Sequence, residues 1–118
     1  MVDHYSVRDR HREIQFKGEL LGFSSSEDPD KVRWGEFYVY RTESGRYVVA
    51  GVGRSRVPGE TDRCWAQVSD SPDAVIEKLT LIDPDGARYL PWTARTLLDQ
   101  AAVKDERLRH SYAVEVID

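Results

Sequence analysis

Trp34-Gly-Glu-Phe-Tyr-Val-Tyr-Arg-Thr-Glu-Ser-Gly-Arg-Tyr-Val-Val-Ala-Gly-Val52 decides the fold. It reads as two strands rich in aromatic and β-branched residues, joined by Thr42-Glu43-Ser44-Gly45. Glycine as the third loop residue predicts a type I turn closed by a left-handed residue, which pairs Thr42 with Arg46 and sets Trp34 opposite Arg54 and Tyr40 opposite Val48. In that register Trp34, Tyr38, Tyr40, Val48, Ala50 and Val52 share one face of the hairpin, and Phe37, Val39, Arg41, Tyr47 and Val49 share the other. Both faces carry large apolar groups. A two-residue loop would slip the partner strand by one position and re-sort the faces, so the register depends on the turn.

Working outward, Glu13-Ile-Gln-Phe-Lys-Gly-Glu-Leu-Leu-Gly-Phe23 alternates and then shifts phase at Leu20-Leu21, the pattern of a first strand with a bulge or bend near Gly18. Ser24 to Asp30 is a loop by composition, and a long connection around Pro58-Gly59 leads to a fourth strand at Cys64-Trp-Ala-Gln-Val68. Residues 1–11 are polar and without period, which predicts a flexible arm. After residue 70 the period changes. Ser71-Pro72 is a helix entry, with Val75, Ile76 and Leu79 on one stripe, and Asp83-Pro-Asp-Gly86 is a turn. A second helix starts near Pro91 or Thr93 and presents Ala94, Leu97, Leu98 and Ala101 on one face. Residues 104–118 fit either a third helix or, at Val114-Glu-Val-Ile117, a short strand. Strands first and helices afterwards give a single α+β domain: an antiparallel four-stranded meander with two or three C-terminal helices packed on one face.

A chain of 118 residues, 40% hydrophobic and 32% charged, suits one domain with one core. No apolar run approaches the roughly 20 residues of a membrane span, and the charged first residues do not resemble a secretory signal, so a cytoplasmic protein with no membrane partner is expected. Cys64 is the single cysteine, which excludes an internal disulfide and a cysteine zinc site within one chain. The net charge of −4 argues against broad binding of duplex DNA. Residues 1–69 carry 11 basic and 11 acidic side chains and residues 70–118 carry 6 and 10, so an anionic partner would prefer the first part.

Phe16-x-Gly18-x-Leu20-Leu-Gly22, Tyr40-Arg-Thr42-x-x-Gly45 and the chain end Glu115-Val-Ile-Asp118 resemble the bacterial EXLDI proteins, named for a C-terminal Glu-x-Leu-Asp-Ile. The resemblance spans roughly residues 12–118, with Ile117 where the motif has Leu and without its last Ile. Some members look as if they carry an N-terminal ribbon-helix-helix-like segment, and the residues before the first strand here are too few to form one. The resemblance implies a small bacterial regulatory or interaction protein. It brings no activity and places no site residue.

The residues themselves offer little chemistry. His4, His11 and His110 are not spaced as metal ligands, and no cofactor motif is present: Gly51-Val-Gly53 follows a strand but does not open a helix. His11, within Arg8-Asp-Arg-His-Arg-Glu13, has the residue types for metal-independent RNA cleavage, although a solvated charged run is the simpler reading. Cys64 between Arg63 and Trp65 reads as a small core residue. If helices cover one sheet face, Trp34, Tyr38 and Tyr40 remain on the other, a surface for a homodimer or a protein partner unless the N-terminal arm or the last residues cover it. The alternative is single-stranded nucleic acid held by Arg54, Arg56 and Arg63 with Trp34 and Trp65, against the plainer expectation that these arginines pair with Glu60 and Asp62. The expected function is therefore a non-enzymatic regulatory or protein-interaction module that self-associates through its aromatic sheet face.

Overall fold

Strands β3 (Arg33–Thr42) and β4 (Tyr47–Ser55) pair in the expected register, with Trp34 opposite Arg54 and Tyr40 opposite Val48. Thr42 N donates to Arg46 O at 2.8 Å, and Gly45 sits at φ 85, a conformation that costs glycine nothing and sets the three-residue loop. The computed structural model describes residues 2–114 and Ile117. Strand β2 (Arg12–Ser25) lies along β3, and β5 (Arg63–Ser69) lies along β4. The phase shift at Leu20-Leu21 is a register shift between Leu20 and Gly22, which turns Leu21 toward the helices, where it is fully buried.

The meander has five strands, not four. The segment expected as an arm is strand β1 (Asp3–Asp9), paired antiparallel with β2 so that Tyr5 faces Phe16 and Val7 faces Ile14. Only two apolar residues alternate in β1, and its turn runs through Arg10 at φ 59 instead of a glycine or asparagine, so the local signal is faint and cross-strand packing decides. At that turn, Arg10 N donates to Cys64 O at 2.9 Å, and Asp9 Oδ1 at the end of β1 accepts from Ala66 N at 3.2 Å. The first strand thus reaches the last, and the sheet curls into a half-barrel.

The helices α1 (Pro72–Leu79), α2 (Trp92–Lys104) and α3 (Glu106–Ala113) cover the convex face. Ser71 caps α1 through Asp73 N, and Asp105 caps α3 through Leu108 N, the standard way to satisfy orphan amides. Leu21, Val39, Tyr47 and Val49 of the sheet meet Val75, Leu97, Leu98 and Leu108 of the helices. Each fully buried leucine contributes about 2 kcal/mol of apolar transfer. On the concave face Val7, Tyr40, Val48, Ala50 and Ala66 form a second core. Between α1 and α2 a small ribbon, β6 (Leu81–Ile82) and β7 (Arg88–Tyr89), brackets the Asp83-Pro-Asp-Gly86 turn, with Asp83 Oδ1 accepting from the amides of Asp85 and Ala87. Residues 106–113 take the helical alternative; Glu115, Val116 and Asp118, which carry the end of the family resemblance, lie outside the described residues. No helix among the described residues is long and apolar enough to cross a membrane.

Candidate functional site

Of the two outcomes expected for the aromatic face, cover by the N-terminal residues is found at Tyr40. Tyr40 is only 7% exposed, because the rings of Tyr5 (4.8 Å between centroids) and Phe16 (5.1 Å) close over it. That burial pushes its hydroxyl up to about 12. Tyr38 remains half-buried beside the exposed Phe23, with ring centroids 5.0 Å apart. Trp34 is half-buried too, with the Arg56 guanidinium 4.3 Å over its ring and its Nε1 donating to Glu36. Of the rings over Tyr40, Phe16 belongs to β2, and Tyr5 to β1, the segment whose order the sequence concealed.

The arginines gather at the far end of the half-barrel, where a cleft of ≈ 560 Å³ is lined by Arg33, Trp34, Arg54, Ser55, Glu60 and Arg63 among others. Their charges are largely answered inside the chain. Arg54 donates to Glu36 at 2.8 Å and to Asp62 at 2.5 Å, and Arg33 grips Glu60 with two nitrogens. Arg33 and then Ser55 hold the Glu60 carboxyl down at about 2. Arg56, stacked on Trp34, pairs with Glu27 at 2.9 Å and donates to the carbonyls of Asp28 and Lys31. Arg63 is exposed and lies outside these pairs. The three arginines therefore do not form one open cationic track. The three histidines are likewise apart, all exposed, on β1, the β1–β2 turn and α3, and among the described residues no cluster of His, Cys, Asp or Glu is placed to hold a metal.

The more apolar opening lies between sheet and helices. A cleft of ≈ 290 Å³ is lined by Phe37 and Trp65 from the sheet, Lys78 and Leu79 from the end of α1, Leu81 of the ribbon, and Pro91, Thr93 and Ala94 at the start of α2. Its floor follows from the sequence. Gly51 stands opposite Trp65, and a Cβ at position 51 would come within 2.3 Å of the indole, so glycine is what lets the ring lie across β4. Lys78 reaches over that ring, its ammonium 4.9 Å from the centroid. Leu81 of the lining is exposed (48%), as are its chain neighbour Ile82 (65%) and, at the start of α2, Trp92 (57%).

The start of α2 forms one wall and differs in chemistry from the rest. Pro91 occupies the cap position and offers no capping side chain, so Arg95 N, bonded to Pro91 O at 3.0 Å, is the first amide of the helix to find a partner among the described residues. Thr93 is 7% exposed, and its carbonyl accepts from Ser24 Oγ at 2.7 Å, which ties the wall to β2. The sequence did not mark Lys78, and it marked Thr93 only as one of two starts for the second helix. The legible signals were a helix opening on Pro91 without a Ser, Thr, Asp or Asn cap, and a glycine inside the strand facing Trp65. Comparison with family models, curated proteins and solved structures found no match.

Proposed function

We propose that this chain is a non-enzymatic binding module that holds a small, largely apolar molecule in the cleft between its sheet and its helices. The observation that carries this reading is the cleft itself: an aromatic floor of Trp65 and Phe37, aliphatic walls, and few polar groups at one end, near the lower limit of size for a small-molecule site. Indole serves as the probe. Calorimetric titration is expected to show saturable one-to-one binding that is abolished in Ala94→Phe, which fills the cleft from a position only 3% exposed. Equal binding to that folded variant would place the probe elsewhere and overturn the reading.

A second reading keeps self-association but moves it from Tyr38 and Tyr40 to the ribbon. Leu81, Ile82, Tyr89 and Trp92 are all exposed, a concentration of large apolar groups that favours contact with a second copy of the chain. It predicts a concentration-dependent dimer by sedimentation equilibrium, weakened in Ile82→Glu. A protein that stays monomeric at every concentration removes it.

A further inference from the structure

We infer that the molecule held in the cleft is a monocarboxylate, with a compact aromatic or aliphatic body on the Trp65 floor and its carboxylate at the start of α2. The inference rests on the cleft being a binding site. Three independent features converge on the anion.

The N–H groups of Trp92, Thr93 and Ala94 have no hydrogen-bond partner among the described residues, and α2, running on to Lys104, has no acidic residue in its first turn. Such an end carries a partial positive charge and amides directed at whatever occupies it. Thr93 is the second feature. Its hydroxyl makes no hydrogen bond among the described residues although the residue is 7% exposed, and among those residues no fully buried side-chain polar atom lacks a partner. The hydroxyl must therefore meet open space, and Thr93 lines this cleft. Lys78 is the third. It stands on the opposite lip over Trp65 and forms no ion pair among the described residues, while the nearby Glu77 is taken by Arg88 and the Asp83 Oδ1 by two backbone amides. Among the described residues no carboxylate lines the cleft to compete.

A hydroxyl that opens from a buried residue and helix-start amides without partners are all donors, and a carboxylate is the group that accepts from N–H, O–H and ammonium together. Size limits the rest of the molecule. A volume of ≈ 290 Å³ admits about ten non-hydrogen atoms, reckoned from roughly 30 Å³ per displaced water. An arylacetic or short branched alkanoic acid meets both requirements, whereas a nucleotide does not.

The test compares phenylacetate with its uncharged isostere phenylacetamide, by calorimetry and by amide chemical shifts in the ¹⁵N-labelled protein. Phenylacetate is expected to bind about tenfold more tightly, with the largest shifts at Thr93 and Ala94. Thr93→Val, which keeps the volume and removes the hydroxyl, and Lys78→Gln are each expected to reduce that preference severalfold, read as the ratio of acid to amide affinity in the same variant. Equal affinity for acid and amide would overturn the carboxylate assignment and leave the apolar site standing. Binding of neither compound, with no shift at Trp65, Thr93 or Ala94, would overturn both.

Discussion

Asp105 joins the two halves of the molecule through one carboxyl group. It is 3% exposed; Oδ1 accepts from Leu108 N at 2.8 Å and Tyr47 Oη at 2.9 Å, while Oδ2 takes Arg41 Nη1 at 2.8 Å. Arg41 in turn binds Glu19 at 2.9 Å, so the network runs from the α3 cap to β2. Burial alone would raise the Asp105 carboxyl, but the Leu108 amide, Tyr47 and Arg41 together hold it below the ordinary aspartate value. Asp105→Ala is expected to cost about 3 kcal/mol in urea unfolding, because it removes a cap and strands a buried hydroxyl. The depressed carboxyl contributes fully above its unfolded pKa of about 3.9 and is lost as pH falls through the lower folded value. Wild-type stability should accordingly drop below about pH 4, and the Asp105→Asn curve should be flatter there. A variant as stable as wild type at neutral pH would contradict this role. The sequence left this residue inconspicuous, since 104–118 fitted helix and strand alike and the partners lie 58 and 64 positions away. Thr93 was hidden for the same reason: what marks it is a missing partner in space.

At the scale of elements, legibility followed the strength of the local signal. The β3–β4 register could be read from Gly45, because one turn type accounts for both the glycine and the pairing. Helix α1 announced itself through Ser71-Pro72, and α2 through apolar residues at helical spacing. Strand β1 gave no comparable signal. Its polar residues point outward, its turn lacks the usual residues, and its order comes from Tyr5 and Val7 packing on β2 and on Tyr40. Val7→Asp is the discriminating change, since Val7 is 8% exposed in the concave core. We expect a loss of about 3 kcal/mol from burying an unpaired carboxylate, read as a lowered urea midpoint. A mobile arm would leave the midpoint unmoved. The ribbon was missed for a related reason: only its Asp83–Gly86 turn is diagnostic, and its strands are two residues each.

Across the whole molecule, one curled sheet serves two cores. The concave side is closed by its own first strand around Tyr40, and the convex side is closed by helices around Leu21, Val39 and Leu97. Closure is complete on neither edge, but the two openings differ in kind. At the arginine end the lining charges pair within the chain except for Arg63, whereas between α1 and α2 an aromatic floor meets an uncapped helix start and a lysine unpaired among the described residues. Fold class and the two-faced hairpin were therefore readable from composition and period. The cleft was not, because its walls come from residues 37, 65, 78 and 93, which only the packing of helices on the sheet brings together.

The most direct measurement on the cleft is the set of intermolecular nuclear Overhauser effects from the ring protons of saturating indole. Cross-peaks to the Ala94 methyl, the Phe37 ring and the Leu79 methyls are predicted, since all three line the space over Trp65. Cross-peaks confined to the exposed Ile82 and Tyr89, or none at all, would contradict a binding site between sheet and helices.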